Sequence, residues 1–193
     1  MKLIIASNNA HKIQEIKQIL SRKFEEILSL KDAGVIHETI EDGLTFMDNA
    51  VKKAREIAEL TGCAALADDS GLCVDALGGA PGVYSARFAG EYDLSIRDAS
   101  NNALLLKKLD GTTDRRAHFT CAVALVYPDG REVMAEGYMH GEIIESQRGT
   151  HGFGYDPLFL PDGELRTVAE LSDEEKNVIS HRGNALKNLL SKI

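Results

Sequence analysis

Leu3, Ile4, Ile5 and Ala6 form an unbroken apolar run, the mark of a short buried strand. Beyond the polar turn Ser7-Asn8-Asn9, the apolar residues Ile13, Ile16 and Leu20 recur at helical spacing. The chain thus opens as strand, loop and helix. A second helix is predicted from about Thr45 to Leu60, where Phe46, Ala50, Ala54, Ile57 and Ala58 line one side and Thr45 or Gly43 provides the cap. On another side Asn49 and Lys53, four residues apart, face the same way. Ala64–Ala67 predicts a buried strand ending in the acidic pair Asp68–Asp69, and Cys73–Leu77 a further short strand. Glycine and proline make Gly78–Gly82 a loop, and Ile96–Leu109 predicts a helix. Ala117–Tyr127 and Glu132–Tyr138 flank the turn Pro128-Asp129-Gly130 and predict an antiparallel hairpin, with a last helix over about Asn184–Ile193. Strands and helices that alternate early, followed by a hairpin, predict an α/β fold with a mixed sheet.

With 193 residues the chain can bury a substantial core, and it falls in the range of one domain or two closely packed lobes. No repeat, low-complexity tract or long linker divides it. The apolar run at the start is too short for a signal peptide, and no segment approaches the roughly 20 apolar residues of a membrane span, so a cytoplasmic protein is expected. Cys63, Cys73 and Cys121 are odd in number and form no CxxC pair. They suggest small core residues rather than a disulfide framework or a zinc site. The net charge of −8 argues against a nucleic acid backbone as the main partner. An acidic protein that binds a polyanion must gather its cations locally or use a metal.

Several clusters have the chemistry for that. Ser7, Asn9 and Lys12 lie between a strand and a helix, where backbone N–H groups at the helix start can hold phosphate oxygens; the bland alternative is a polar turn capping the helix. The segment lacks the GxxxxGK[ST] pattern of a Walker loop. Asp68 and Asp69 are the strongest catalytic candidates, because adjacent carboxylates after an apolar run are difficult to bury without a cation. Hard carboxylate oxygens suit Mg²⁺, which usually takes one or two of them together with substrate phosphates. Glu41 and Asp42 are equally acidic neighbours, and sequence chemistry alone does not choose between them as a metal ligand. In His151–Phe159, HGFGYDPLF, glycines at 152 and 154 let the backbone approach a ligand closely, and an aromatic face there can stack on a purine. Asp156 is either part of that pocket or an anchor for its own loop. Lys176, His181 and Arg182 sit among Asp173, Glu174 and Glu175, where a charged surface helix is the plain alternative.

Taken together, SNNAHK at Ser7–Lys12, ADDSG at Ala67–Gly71, HGFGYD at His151–Asp156 and SHRG at Ser180–Gly183 resemble the Ham1-type inosine triphosphate pyrophosphatases, from about Lys2 to about Leu190. The resemblance implies a long central mixed sheet flanked by helices, with two lobes and the active site in a cleft between them. It implies hydrolysis of ITP, dITP and XTP to the nucleoside monophosphate and pyrophosphate, which clears deaminated purines from the nucleotide pool. It assigns triphosphate contacts to Ser7, Asn9 and Lys12, Mg²⁺ ligation to Glu41 and Asp69, proton acceptance from water to Asp69, and a phosphate-facing charge to Lys53. It gives substrate binding to Ser70, to Phe153, Gly154, Tyr155 and Asp156 in the nucleoside pocket, and to Lys176, His181 and Arg182 as donors to the base. Such donors suit the 6-oxo group of hypoxanthine or xanthine and are left unpaired by adenine. The family also implies a homodimer. Two departures stand out: Ser7 where many members have Thr, a mild change that keeps the hydroxyl, and Asp48 where Glu is common, which shortens the reach of a helix-surface carboxylate. Two other functions remain in view, a phosphohydrolase with an aspartyl intermediate and a nucleotide sensor without turnover.

Overall fold

A computed structural model of the chain describes residues 2–21 and 23–193. Strand β1 (Lys2–Ile5) pairs in parallel with β2 (Glu26–Ser29) on one side and β3 (Ala64–Val74) on the other. Strands β4 (Arg116–Val126), β5 (Glu132–Ile143) and β6 (Phe159–Pro161) complete a six-stranded sheet of order β2-β1-β3-β4-β5-β6, with β6 antiparallel to β5. The sheet is therefore mixed. The helices are α1 (Ala10–Leu20), α2 (Phe46–Thr61), α3 (Arg97–Lys108), α4 (Asp173–Ile179) and α5 (His181–Leu190).

The chain forms two compact units. The first holds the residues up to Asp69 with Cys121–Gly137 and His181–Ile193; the second holds Ser70–Thr120 and Tyr138–Ser180. Within the first unit both faces of the sheet are covered, which is why β1 is a continuous apolar run rather than an alternating one. Leu3, Ile5 and Leu66 pack with Ile16 and Leu20 of α1 and Leu186 and Leu189 of α5. Ile4, Ala65 and Ala67, whose side chains alternate to the other face, pack with Ala50, Ala54, Ile57 and Ala58 of α2. The second unit has its own core, in which Leu72 and Val74 meet Leu105, Phe119, Tyr155, Leu158 and Phe159.

Local chemistry sets the helix ends. Asn9 caps α1 by accepting from the N–H groups of His11 and Lys12, at 3.0 and 3.2 Å. Thr45 and Asp48 form a reciprocal capping box at the start of α2, and Gly62, at φ 63°, closes its other end. Gly43 is not the cap: its N–H donates to Asn49 Oδ1 at 2.8 Å.

Four expectations are corrected. The strand at Ala64 does not end at the acidic pair. It continues through Asp68 and Asp69 to Val74, because both charges have partners in the fold and the ladder need not stop to expose them; Asp75–Leu77 is a 3₁₀ turn rather than strand. The last helix begins at His181, three residues earlier than expected, so His181 and Arg182 belong to its buried first turn. The hairpin is present but longer than the apolar pattern suggested, with β5 running on to Ile143.

Candidate active site

Successive side chains on a strand point to opposite faces, so the neighbours Asp68 and Asp69 enter different surroundings. Asp68 faces the side covered by α1 and α5, and its side chain is fully buried. Its Oδ2 receives Lys12 Nζ at 3.0 Å and Arg182 Nη2 and Nε at 3.0 and 3.1 Å, while the Cys121 thiol lies 3.9 Å away. Arg182, also buried, donates to Glu15 of α1 as well. Burial alone would raise the Asp68 pKa, but Lys12, Arg182 and Lys53 outweigh it and hold the carboxyl well below its ordinary range. These cations thus favour the ionised form of Asp68. The same surroundings push the Cys121 thiol up to about 12, chiefly by burial with Asp68 adding to it.

Asp69 faces α2. Asn49 Nδ2 donates to its Oδ2 at 2.9 Å, and Lys53 Nζ stands 3.9 Å from its Oδ1. Burial dominates here: despite Lys53, Lys12 and the Asn49 bond, the Asp69 pKa is raised. Lys53 shows the converse. Burial would lower its pKa, but Asp69, Asp68 and Glu41 raise it, so it stays charged. Its ammonium is 2.7 Å from Glu41 Oε1, whereas Asp42 turns outward to an exposed pair with Lys52. The fold therefore distinguishes the two acids that the sequence could not, since Glu41 and Asp69 face one shared cation and Asp42 does not.

That donor set fits Mg²⁺. Two carboxylates around a single positive charge supply hard oxygens, and among the described residues no cluster of three or more His, Cys, Asp or Glu is arranged to hold a metal. The protein thus offers the one or two carboxylates that Mg²⁺ commonly takes when phosphates and waters complete its shell. In the opening loop Ser7 Oγ accepts from the Asn9 N–H at 3.1 Å, so Ser7 and Asn9 shape the start of α1 and deliver Lys12 to Asp68.

In the second unit the aromatic segment is a tight loop. Gly152 and Gly154 adopt φ of 75° and 62°, a left-handed backbone open to glycine at little cost, and a Cβ on Gly152 would lie 2.1 Å from Asp156 Oδ2. Asp156 is buried and anchors its own loop, its Oδ2 accepting from the Phe153 N–H at 3.0 Å and from Lys176 Nζ at 2.9 Å. The Lys176 ammonium lies 4.8 Å from the centre of the Phe153 ring, which is partly exposed. Tyr155 is buried with its hydroxyl donating to Ser85 O at 2.8 Å, making it part of the core. The Gly154 N–H donates to Asp98 Oδ2 at 2.7 Å, and its carbonyl accepts from Asn102 Nδ2 at 3.0 Å. Ser70 follows Asp69 on β3 and opens this unit.

Lys176, His181 and Arg182 were expected as one set of base-reading donors. All three are buried, so the surface-helix alternative fails. Lys176 lies in the second unit, bonded to Asp156 of the aromatic loop, and His181 and Arg182 lie in the first, where Arg182 bonds to Asp68. Residues with no strong sequence signal are also part of these clusters, notably Glu15, Asp98 and Asn102. Their only trace is polarity on faces of α1 and α3 that an amphipathic pattern assigns to the interior.

The chain belongs to the Ham1 family, whose model matches residues 3–192. A relative from Exiguobacterium sibiricum, named dITP/XTP pyrophosphatase, is 54% identical over 191 residues, covering 98% of this chain and 95% of the relative. The Ham1 protein of Staphylococcus aureus has a solved structure that superposes with a TM-score of 0.88 at 40% identity, covering 100% of this chain and 97% of that one. A dITP/XTP pyrophosphatase from Mycobacterium abscessus superposes with a TM-score of 0.78 at 48% identity, over 98% and 99% of the two chains.

Proposed function

We propose that this chain hydrolyses dITP, ITP and XTP between the α and β phosphates, releasing a nucleoside monophosphate and pyrophosphate. The observation that carries the mechanism is the divergence of two adjacent carboxylates: Asp68 is bonded to Lys12 and Arg182, which lower its pKa, while Asp69 is bonded to Asn49 and faces Lys53, with its pKa raised by burial. Paired acids whose surroundings push their pKa values apart are a usual basis for acid–base assignment. The family membership and the names of the relatives support the substrate class.

In this mechanism Asp69 accepts the proton of the attacking water, and Asn49, by its hydrogen bond to Oδ2, fixes the carboxylate in place. Lys12 and Lys53 stabilise charge on the phosphate oxygens. Asp68 keeps Lys12 in position, and Arg182 keeps Asp68 ionised. Glu41 and Asp69 are the residues that hold Mg²⁺, which when bound supplies charge neutralisation at the phosphates. Phe153 offers its partly exposed ring to the base, and Lys176 brings a donor for the 6-oxo group beside it. The 193 residues act as one catalytic domain. We further propose that the protein is a cytoplasmic homodimer; no helix among the described residues is long and apolar enough to cross a membrane. An aspartyl intermediate on Asp68 is disfavoured, since its side chain is fully buried and already holds two cations.

The test incubates the purified protein and Mg²⁺ with ITP, dITP, XTP, GTP and ATP, assaying pyrophosphate and orthophosphate separately. Pyrophosphate from the first three and little from GTP or ATP is expected. Asp69→Asn should lower turnover by roughly 10²–10⁴-fold, the usual range for a lost proton acceptor. Orthophosphate alone would point to a phosphatase, and binding without products to a sensor.

A further inference from the structure

We propose that Asp98 and Asn102 of α3 are positioning residues for the base, acting through the peptide groups of Gly154. They stand four residues apart on α3 and so share one face of the helix. From that face Asp98 Oδ2 accepts the Gly154 N–H at 2.7 Å and Asn102 Nδ2 donates to the Gly154 carbonyl at 3.0 Å. The N–H belongs to the peptide that joins Phe153 to Gly154, and the carbonyl to the peptide that joins Gly154 to Tyr155. One helix face therefore holds both peptide planes that flank the glycine.

The loop needs such a hold. Gly152 and Gly154 carry no side chain to pack, and glycine is the residue with the most backbone freedom to lose. On the other side Asp156 restrains the Phe153 N–H, so the partly exposed aromatic ring is carried by a backbone fixed at both its N–H and the next peptide. The Asp98 bond is charge-assisted and so stronger than a neutral one, and the carboxylate gains from its place in the first turn of α3. Asn102 is 3% exposed, and among the described residues its Oδ1 has no hydrogen-bond partner, so the bond to Gly154 sets its orientation. Its neighbour Asn101 ties the same helix to residues 85–89, accepting from the Ala89 N–H at 2.8 Å and donating to Ser85 O at 3.2 Å. Ser85 O also receives the Tyr155 hydroxyl. Helix α3 is thus anchored on one side of the loop residue Tyr155 and grips the residue before it.

The inference rests on the assignment of the aromatic loop to the base. Asn102→Ala and Asp98→Ala should each raise KM for dITP and XTP by about five- to tenfold, the loss of one hydrogen bond, with kcat within about twofold. Asp98→Asn retains an acceptor oxygen and should recover most of the loss. Hydrogen exchange provides a readout independent of turnover: amides of 152–155 should exchange faster in Asn102→Ala than in the parent, while those of β4 do not change. Loss of kcat together with a lower melting temperature, or unchanged KM and unchanged loop exchange, would overturn the proposal. If the parent protein releases no pyrophosphate from any purine triphosphate, the functional assignment fails, and faster exchange at 152–155 still decides the clamp itself.

Discussion

Asp69 carries a conflict between stability and chemistry. Its folded pKa lies above the ordinary value of 3.8 because of burial, so the folded state binds the proton more tightly than the unfolded chain does. The sign follows directly: ionised Asp69 destabilises the metal-free protein at neutral pH, and the penalty fades as pH falls through the raised folded value. In thermal melts without added metal, Asp69→Asn should therefore melt higher than the parent at pH 7, and the gap should narrow with acidification. Arg182 shows the opposite case. Arg182→Met leaves Glu15 and part of the Asp68 charge without their buried cation, a change expected to cost about 3–5 kcal/mol in urea denaturation. The acidic pair itself was legible in the sequence, but not which member would be held ionised, because that depends on partners up to 114 residues away.

Among the elements, helix starts were the most legible, since caps act through residues three apart. Thr45 accepts the Asp48 N–H, and α2 carries Asn49 and Lys53 one and two turns further on. Thr45→Ala should cost about 1 kcal/mol, read by chemical denaturation. Strand ends and the start of α5 were less legible. Acids within an apolar run look like a terminus unless their counter-charges are known, and α5 starts three residues before its expected position. Gly137 of β5 shows what packing demands beyond pattern: a Cβ there would lie 2.2 Å from Ala185 N and 2.3 Å from His181 O, both backbone atoms of α5. Gly137→Ala should destabilise by about 3 kcal/mol, at the upper end of overpacking costs, because helix backbone cannot step aside as a side-chain tip can.

For the whole molecule, the balance of buried charge predicts how metal and fold are related. Lys53, Lys12 and Arg182 each pair with Glu41, Asp69 or Asp68, so the fold is expected to hold without a metal. Chelation should abolish pyrophosphate release and leave a cooperative melting transition, and Mg²⁺ should restore turnover; unfolding on chelation would refute this. The mixed α/β architecture was readable from the chain, because both covered faces of the sheet require apolar runs of strand length, and covering helices show their own period. The motif residues were readable as candidate chemistry: carboxylates, lysines and a glycine-aromatic loop. Only the tertiary structure decided the surroundings of each: Glu41 rather than Asp42 beside Lys53, Asp68 bonded to Lys12 and Arg182, Asp69 buried beside Asn49, and Asp98 and Asn102 bonded to Gly154. The physical reason is that hydrophobic period and caps are local properties of a segment, while desolvation and charge pairing are set by residues that only folding brings together.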